Sequence, residues 1–330
     1  MSFDGKEVLI TGGAGFVGSH LAEKLTQLGS KVTILDDFSS GRIENIPFIP
    51  KTNILKCDVS NLDELRPIIV RNGYDLIFHY AANASVPKSV DDRENDFRRN
   101  VVGTFNVLHS AIDSKCARVV FASSSAVYGQ KKDVVHELDL ADPMAPYGLG
   151  KLVGEQYGRM YSDMFDLPVL CMRYFNIYGP RQPRYVMFDF IQKFLRDEKK
   201  IAMLGTPDIT RDFIYCSDAV DATLDIVQKS TNKFDIYNVG TGKGTQIGDL
   251  CRLMNKLLVE MTGSDDHREI VYSGSSWKGD IKQIVADSTK LDSIGFRPKY
   301  TLEEGLRFLI KSYLNNGEPL KQLVELVTSG

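Results

Sequence analysis

The chain has 330 residues, is 43% hydrophobic and carries a formal net charge of −3. That length and composition support a large buried core in one large or two coupled domains, and the charge offers no basic field for nucleic acid or an anionic membrane. Apolar runs are strand-length, far short of the roughly 20 residues of a membrane-spanning helix. The opening residues lack the basic and apolar blocks of a signal peptide. Five scattered cysteines and five scattered histidines show neither disulfide nor metal-ligand spacing. The expectation is a reduced, cytoplasmic protein with no metal site.

The first β-branched run, 7–11, leads into Gly12-Gly13-Ala14-Gly15-Phe16-Val17-Gly18 and a helical pattern over 15–28. Gly12, Gly15 and Gly18 have dinucleotide-loop spacing: without side chains the backbone turns tightly and approaches a pyrophosphate, which sits on the helix N-terminus. The next run, 31–35, ends at Asp36-Asp37, about twenty residues on, where an acid that hydrogen-bonds the adenosine ribose belongs. A carboxylate there repels a 2′-phosphate, so Asp36 points to NAD rather than NADP. The third run, 53–57, ends before Asp58. Two readings of Asp58 stay open: an acceptor for the adenine amino group, or the N-cap of a helical pattern over 61–72.

Strand 76–80, helix 91–114, strand 118–122, helix 148–165 and strand 169–173 continue the alternation. Near-continuous apolar strands alternating with helices predict an α/β fold with a doubly wound parallel sheet of Rossmann type, covered on both faces. Such a sheet binds ligands at the carboxyl ends of its strands. After residue 176 the pattern loosens. A turn-rich break at 179–183 precedes helical patterns at 187–196, 217–229, 246–261 and 302–314, with one further strand at 235–239. The division expected is a cofactor domain over 1–176, its sheet completed by the strand near 235–239, and a smaller mixed substrate-binding portion over 177–330.

Tyr147 and Lys151 lie four residues apart within the 148–165 helical region and its approach. On a helix that spacing shares one face. A phenol has a pKa of about 10, and a neighbouring cation favours its phenolate. The pair is therefore a candidate base near neutral pH, with Ser124 upstream in Phe121-Ala-Ser-Ser-Ser-Ala-Val-Tyr-Gly129 as its hydroxyl partner.

These motifs, in this order, resemble the extended short-chain dehydrogenase/reductases, and most closely their NAD-dependent nucleotide-sugar epimerases and dehydratases of UDP-glucose 4-epimerase type. The likeness covers nearly the whole chain. Phe78-His-Tyr-Ala-Ala82, Asn100-Val-Val-Gly-Thr104, Arg173-Tyr-Phe-Asn-Ile-Tyr-Gly-Pro-Arg181 and Arg211-Asp-Phe213 are similar to family segments. The resemblance implies that Ser124 and Tyr147 hold the sugar 4-hydroxyl and that Lys151 binds the nicotinamide ribose and keeps Tyr147 ionised. It adds Phe16, Val17, Val59, Ala81, Ala82, Asn100 and Tyr174 to the cofactor contacts. On the substrate side it implies Ala84, Ser85, Ser125, Asn176, Arg184, Arg211, Asp280 and Ile284, with Arg211 pairing a phosphate and Asp280 the nucleotide ribose. Bland readings stand beside three of these: Asn100 satisfying backbone in its own helix, Asn176 as a turn residue, and Arg211 as a surface ion pair with Asp212. Helices 91–114 and 148–165 pair across a twofold axis in relatives, which implies a homodimer.

The reaction implied follows from two positions after Ser124. Family dehydratases carry Asp and Glu there, and decarboxylases usually a Glu at the second. This chain has Ser125 and Ala126, neither able to do general acid–base work. Oxidation at C4 can then only be reversed, which inverts C4 of a nucleotide-diphosphate hexose, with UDP-glucose or UDP-galactose as the expected substrate. Trp277 stands where many members carry a phosphate-binding Arg; it is either buried packing or a stacking surface, and Lys278, Arg181 or Arg184 are possible replacements. Ile284 stands where strict glucose/galactose enzymes often carry Tyr, so tolerance of a 2-acetamido group is expected, unless Ala84 and Ser85 or the 184–188 loop set the gate. Alternatives are a UDP-uronic acid 4-epimerase with Arg184 on the C6 carboxylate, a 4-ketoreductase, or a non-catalytic NAD-sensing module.

Overall fold

The computed structural model describes residues 2–196, 198–264, 267–275 and 279–315; Trp277 and Lys278 lie outside the described residues. Its strands are β1 (Glu7–Thr11), β2 (Lys31–Asp36), β3 (Ile54–Lys56), β4 (Leu76–His79), β5 (Arg118–Ser124), β6 (Val169–Tyr174), β7 (Asn176–Tyr178), β8 (Lys200–Met203), β9 (Thr210–Tyr215), β10 (Phe234–Val239), β11 (Gly244–Gln246), β12 (Glu269–Tyr272) and β13 (Gln283–Ile284). The helices are α1 (Phe16–Gln27), α2 (Leu62–Asn72), α3 (Val86–Asp91), α4 (Arg93–Phe97), α5 (Gly103–Asp113), α6 (Pro146–Phe165), α7 (Tyr185–Leu195), α8 (Cys216–Lys229), α9 (Ile247–Thr262), α10 (Thr289–Ser293) and α11 (Leu302–Asn315).

Seven strands form one parallel sheet in the order β10-β6-β5-β4-β1-β2-β3. The expected doubly wound α/β sheet is therefore the observed one, with 235–239 on its edge beside β6. Strands β1, β4 and β6 are buried almost end to end, because apolar clusters cover both faces. One cluster joins Val8, Ile10 and Phe78 to Leu21 and Leu25 of α1 and to Ala219 and Val220 of α8. The other joins Leu9, Ile77 and Phe121 to Val107 of α5 and Tyr161 of α6. The chain thus returns to the main sheet with α8 as well as β10.

The remainder has its own core, in which α7, α9 and α11 pack on short strands through Phe190, Leu250, Leu257 and Leu309. In its sheet β9 lies between β11 and β13 and also pairs β7, while β8 pairs β12. Sequence periodicity misses these strands because they run only two to six residues and pair with partners far along the chain.

The helix expected over 91–114 is broken. It stops at Asp92, restarts as α4, and passes through a π turn at Arg98–Val102 before α5. A π turn adds a residue to the helical circuit, and here Asn100 leaves the helix to reach the loop after β4.

Candidate active site

A cleft of about 720 Å³ runs along the carboxyl ends of the main-sheet strands, between that sheet and the C-terminal portion. Strand β5 ends at Ser124, whose Oγ accepts from Ala126 N at 3.2 Å and starts a tight turn over Ser125–Tyr128. Helix α6 begins at Pro146, so Tyr147 lies in its first turn and Lys151 one turn on. The helix sits tightly on β5: a Cβ at Gly154 would come within 2.5 Å of the Phe121 ring. That close approach lets the Lys151 ammonium donate to Ala122 O at 2.7 Å, 5.9 Å from the Tyr147 ring centre. The Ser124 hydroxyl lies close enough to the Tyr147 phenol to favour its ionised form. Ser124, Tyr147 and Lys151 therefore meet at one wall of the cleft.

Their electrostatics differ from the expectation that Lys151 would by itself lower Tyr147. Burial pushes the phenol up to about 12, and the nearby Ser124 hydroxyl and the charge of Arg184 pull the other way. Burial pushes Lys151 down to about 8, opposed by the carboxylates of Asp96 and Glu155. Removal from water outweighs the neighbouring charges for both. Beneath them Glu155 takes a bidentate Arg173 fork at 2.9 and 2.7 Å and a 2.5 Å bond from Ser123, which locks β5, α6 and β6 together.

The cofactor edge starts at Gly12, whose φ is +69° and where a Cβ would fall 2.6 Å from Ala81 N. Only glycine meets both conditions. The N-cap of α1 is Gly15, with no side-chain cap, and Phe16, Val17 and Gly18 of the first turn line the cleft. A helix N-terminus left open this way suits an anion. Asp36, buried at the end of β2, accepts from Ala14 N at 3.0 Å and Phe38 N at 2.9 Å. Two oxygens with one bond each keep capacity for further donors. This set fits a dinucleotide with a free ribose 2′-hydroxyl.

Asp58 and Val59 reach the cleft, but Asp58 is not the N-cap of α2. Its Oδ1 accepts from Ser60 N at 2.9 Å and Ser60 Oγ at 2.8 Å, and the N-cap is Asn61. Ala81, Ala82 and Tyr174 line the cleft as expected; the Tyr174 hydroxyl is tied to Tyr80 and to Thr223.

Two expected contacts lie elsewhere. Asn100 is absent from the cleft lining. It accepts from Asn83 N at 2.9 Å and donates to Asn83 O at 3.2 Å and Asp96 Oδ1 at 2.8 Å, so its side chain braces the loop behind Ala81–Ala84 and, in its own helix, reaches only the Asp96 side chain. Ser85 is buried too, and its Oγ caps α3 by accepting from Lys88 N at 3.3 Å. Being spent on the cap, it is a poor candidate gate.

Ala84, on the loop after β4, and Ser125, just after β5, line the cleft from the main sheet, and Asn176, Arg184, Arg211, Asp280 and Ile284 line it from the chain beyond β6. Asn176 belongs to β7, paired to Phe213 of β9, and is not a turn residue. Arg211 does not pair with Asp212. Its guanidinium donates to Asp280 at 2.7 Å, while Asp212 turns inward to Thr241 Oγ1 at 2.6 Å and Gly242 N at 2.9 Å. Alternating side-chain direction along a strand explains the separation.

Sequence reading missed Asp96 and Arg99, and named Tyr185 only as part of the 184–188 loop. Arg99 lines the cleft and pairs with Asp37 at 2.8 Å; its place beside Asn100 was the only signal for it. That loop was a possible gate, but nothing in the sequence singles out Tyr185 within it. Among the described residues no group of three His, Cys, Asp or Glu could hold a metal, and no helix is long and apolar enough to cross a membrane.

Residues 8–240 match the model of the NAD dependent epimerase/dehydratase family. A UDP-glucose 4-epimerase of Mycolicibacterium smegmatis is 32% identical over 320 residues, 94% of this chain and 99% of that protein. The structure of Thermotoga maritima UDP-glucose 4-epimerase with UDP-glucose superposes with a TM-score of 0.85 at 32% identity, covering 94% of this chain and 99% of that one. A UDP-N-acetylglucosamine 4-epimerase of Methanobrevibacter ruminantium, in complex with UDP-N-acetylmuramic acid, also gives 0.85 at 32% identity, over 95% and 99% of the two chains.

Proposed function

The chain belongs to the NAD-dependent epimerase/dehydratase family, and from that premise we propose that it inverts C4 of a UDP-hexose, UDP-glucose and UDP-galactose first. The observation that carries this reading is the turn after β5. Ser124, Ser125 and Ala126 face the cleft beside Tyr147, with no acid at the two positions where water or carbon dioxide loss would need one.

Tyr147 takes the proton of the sugar 4-hydroxyl, and Ser124 shares that hydrogen bond. NAD, when bound, would supply the acceptor and donor for the C4 hydride, and its positive charge would favour the phenolate of Tyr147. Lys151, anchored on Ala122 O, holds the nicotinamide ribose. Gly12 to Gly18 and Asp36 hold the pyrophosphate and the adenosine ribose. Asn176, Arg211 and Asp280 hold the UDP end, so the oxidised sugar can turn about its diphosphate and offer its other face. Positioning and charge are the protein's contribution.

We assign 1–176, with the returning α8 and β10, to cofactor binding and most of the remainder to the nucleotide sugar. A homodimer is part of the same proposal. Phe97, Leu149, Met164 and Phe165 are large apolar side chains at least half exposed on α4 and α6, which pack beside one another.

A second reading, C4 inversion of a UDP-uronic acid, draws on Arg184, a cleft cation whose charge reaches Tyr147 and which has no carboxylate partner among the described residues. The test is a panel of UDP-glucose, UDP-galactose, UDP-N-acetylglucosamine and UDP-glucuronic acid, with products read by proton NMR. Conversion of a hexose to its C4 epimer is expected. A 4-keto-6-deoxy product, or a pentose from the uronate, overturns the reading.

A further inference from the structure

Residues 181–185 arch over the sugar side of the cleft. Two of the five, Arg181 at φ +68° and Tyr185 at φ +76°, take left-handed backbone although neither is glycine. Such conformations persist only where surrounding contacts impose them, and the contacts are visible. The N-terminal foot of the arch stands on α1: His20 Nε2 donates to Pro180 O at 2.8 Å, and Arg181 pairs with Glu23 at 2.7 Å. Tyr313 of α11 donates to Gln182 O at 2.6 Å.

The far end is Tyr185, the first residue of α7. Its hydroxyl donates to the carbonyl of Ala84, on the loop after β4. Both residues line the cleft, Ala84 from the loop after β4 and Tyr185 from the start of α7. One hydrogen bond thus links the two sides of the cleft.

We propose that Tyr185 is a positioning residue that keeps the oxidised sugar in the cleft between the two hydride transfers, through its bond to Ala84. This rests on the C4-inversion reading. That chemistry asks for two opposed things at the sugar end. The ketose must be loose enough to turn, yet it must not leave. Oxidation moves a hydride from C4 to the cofactor and the hydroxyl proton to Tyr147, leaving a C4 ketone. If the ketose escapes, the protein retains reduced cofactor and a protonated Tyr147, and the next turnover cannot begin. A wall closed by one neutral hydrogen bond to a backbone carbonyl opens for exchange and recloses. The strained φ at Tyr185 favours reopening, and the fixed foot of the arch brings it back to the same place.

The experiment uses the holoenzyme and Tyr185→Phe, which keeps the ring and removes the bond. With UDP-galactose, nicotinamide fluorescence that stays on the protein counts turnovers lost to escape. About a tenfold rise in that fluorescence per turnover is expected, the size of one hydrogen bond, with curvature in the progress curve and no change in melting temperature. A purely structural role would not move this signal, and equal accumulation in both proteins overturns the proposal. A second readout does not depend on epimerisation. Release of UDP-glucose from the holoenzyme carrying Tyr147→Phe, chased with excess UDP, should also be about ten times faster when Tyr185→Phe is added. If no hexose is inverted, the C4 reading fails and this release rate alone decides for or against the closure.

Discussion

The sheet-edge floor of the cleft and its C-terminal roof face the same ligand but are built differently. On the floor, each functional group sits at the end of a long parallel strand or in the first turn of a helix: Gly12 after β1, Asp36 on β2, Ser124 on β5 and Tyr147 on α6. Their positions are set by registers of four to six paired residues and by apolar clusters on both faces. On the roof, Arg211 and Ile284 face one another across a two-residue pairing of β9 with β13, and Arg184 and Tyr185 open a helix after a strained arch. The contrast suggests a division of labour. The floor holds the reacting atoms rigidly, while the roof closes by side-chain contacts that can change.

The sharpest way to break that contrast is Tyr147→Phe. The floor reading expects turnover to fall about 10³-fold, while NAD released by denaturing the purified protein stays near one per chain. The fold should hold, since the substitution removes one hydroxyl next to Ser124. A turnover within tenfold of the parent would move the base elsewhere and leave the roof as the only place to look.

Next in size is the energy stored at Lys151. Its folded value is about 8 against an ordinary 10.5, so between pH 8 and 10.5 the unfolded chain binds the extra proton. The buried ammonium is a burden below pH 8, and this burden is lifted as pH rises through that window. The shift corresponds to about 3 kcal/mol. The parent should therefore gain stability on Lys151→Met by about that much between pH 7.5 and 10.5, measured by urea unfolding of both proteins at each pH. Taking the difference removes every other titration. A flat difference would mean that Asp96 and Glu155 neutralise the lysine fully, and that the floor stores no strain there.

Legibility followed the same division. The glycine loop, Asp36 and the Tyr147/Lys151 pair were readable because each is a local spacing that regular geometry turns into proximity, and the long apolar strands announced the sheet. Asp58 shows the limit even there. Its place at the cleft followed from the end of a strand, but the choice between N-cap and turn acceptor depended on one residue, Asn61. Asn100 and Ser85 lie behind the cleft lining because a π turn and a short helix direct their side chains to backbone and to Asp96, and no periodicity marks either. The roof was legible only through the family likeness. Nothing local says that Arg211 faces Asp280 instead of the adjacent Asp212, because strand alternation and a pairing 69 residues apart decide it. Tyr185 was reached only as one position of the 184–188 loop, because its place comes from a left-handed backbone that sequence does not announce.

The smallest effect should come from Ile284→Tyr. Ile284 is only 3% exposed and packs with Val127, Tyr128, Val135, Phe175 and Ala286, yet it borders the cleft. A larger ring has no free volume on the core side, so its hydroxyl end must enter the cleft, where it would meet a bulky 2-substituent first. The ratio of kcat/KM for UDP-N-acetylglucosamine to that for UDP-glucose should drop about tenfold, in line with what a steric change in a pocket can discriminate. Overpacking should cost about 1–3 kcal/mol of stability, so the ratio, not either rate alone, is the readout. If both substrates lose equally, the strand pairing that places Ile284 is not the gate, and the arch and α7 entry around Arg184 become the part of the roof that selects the sugar.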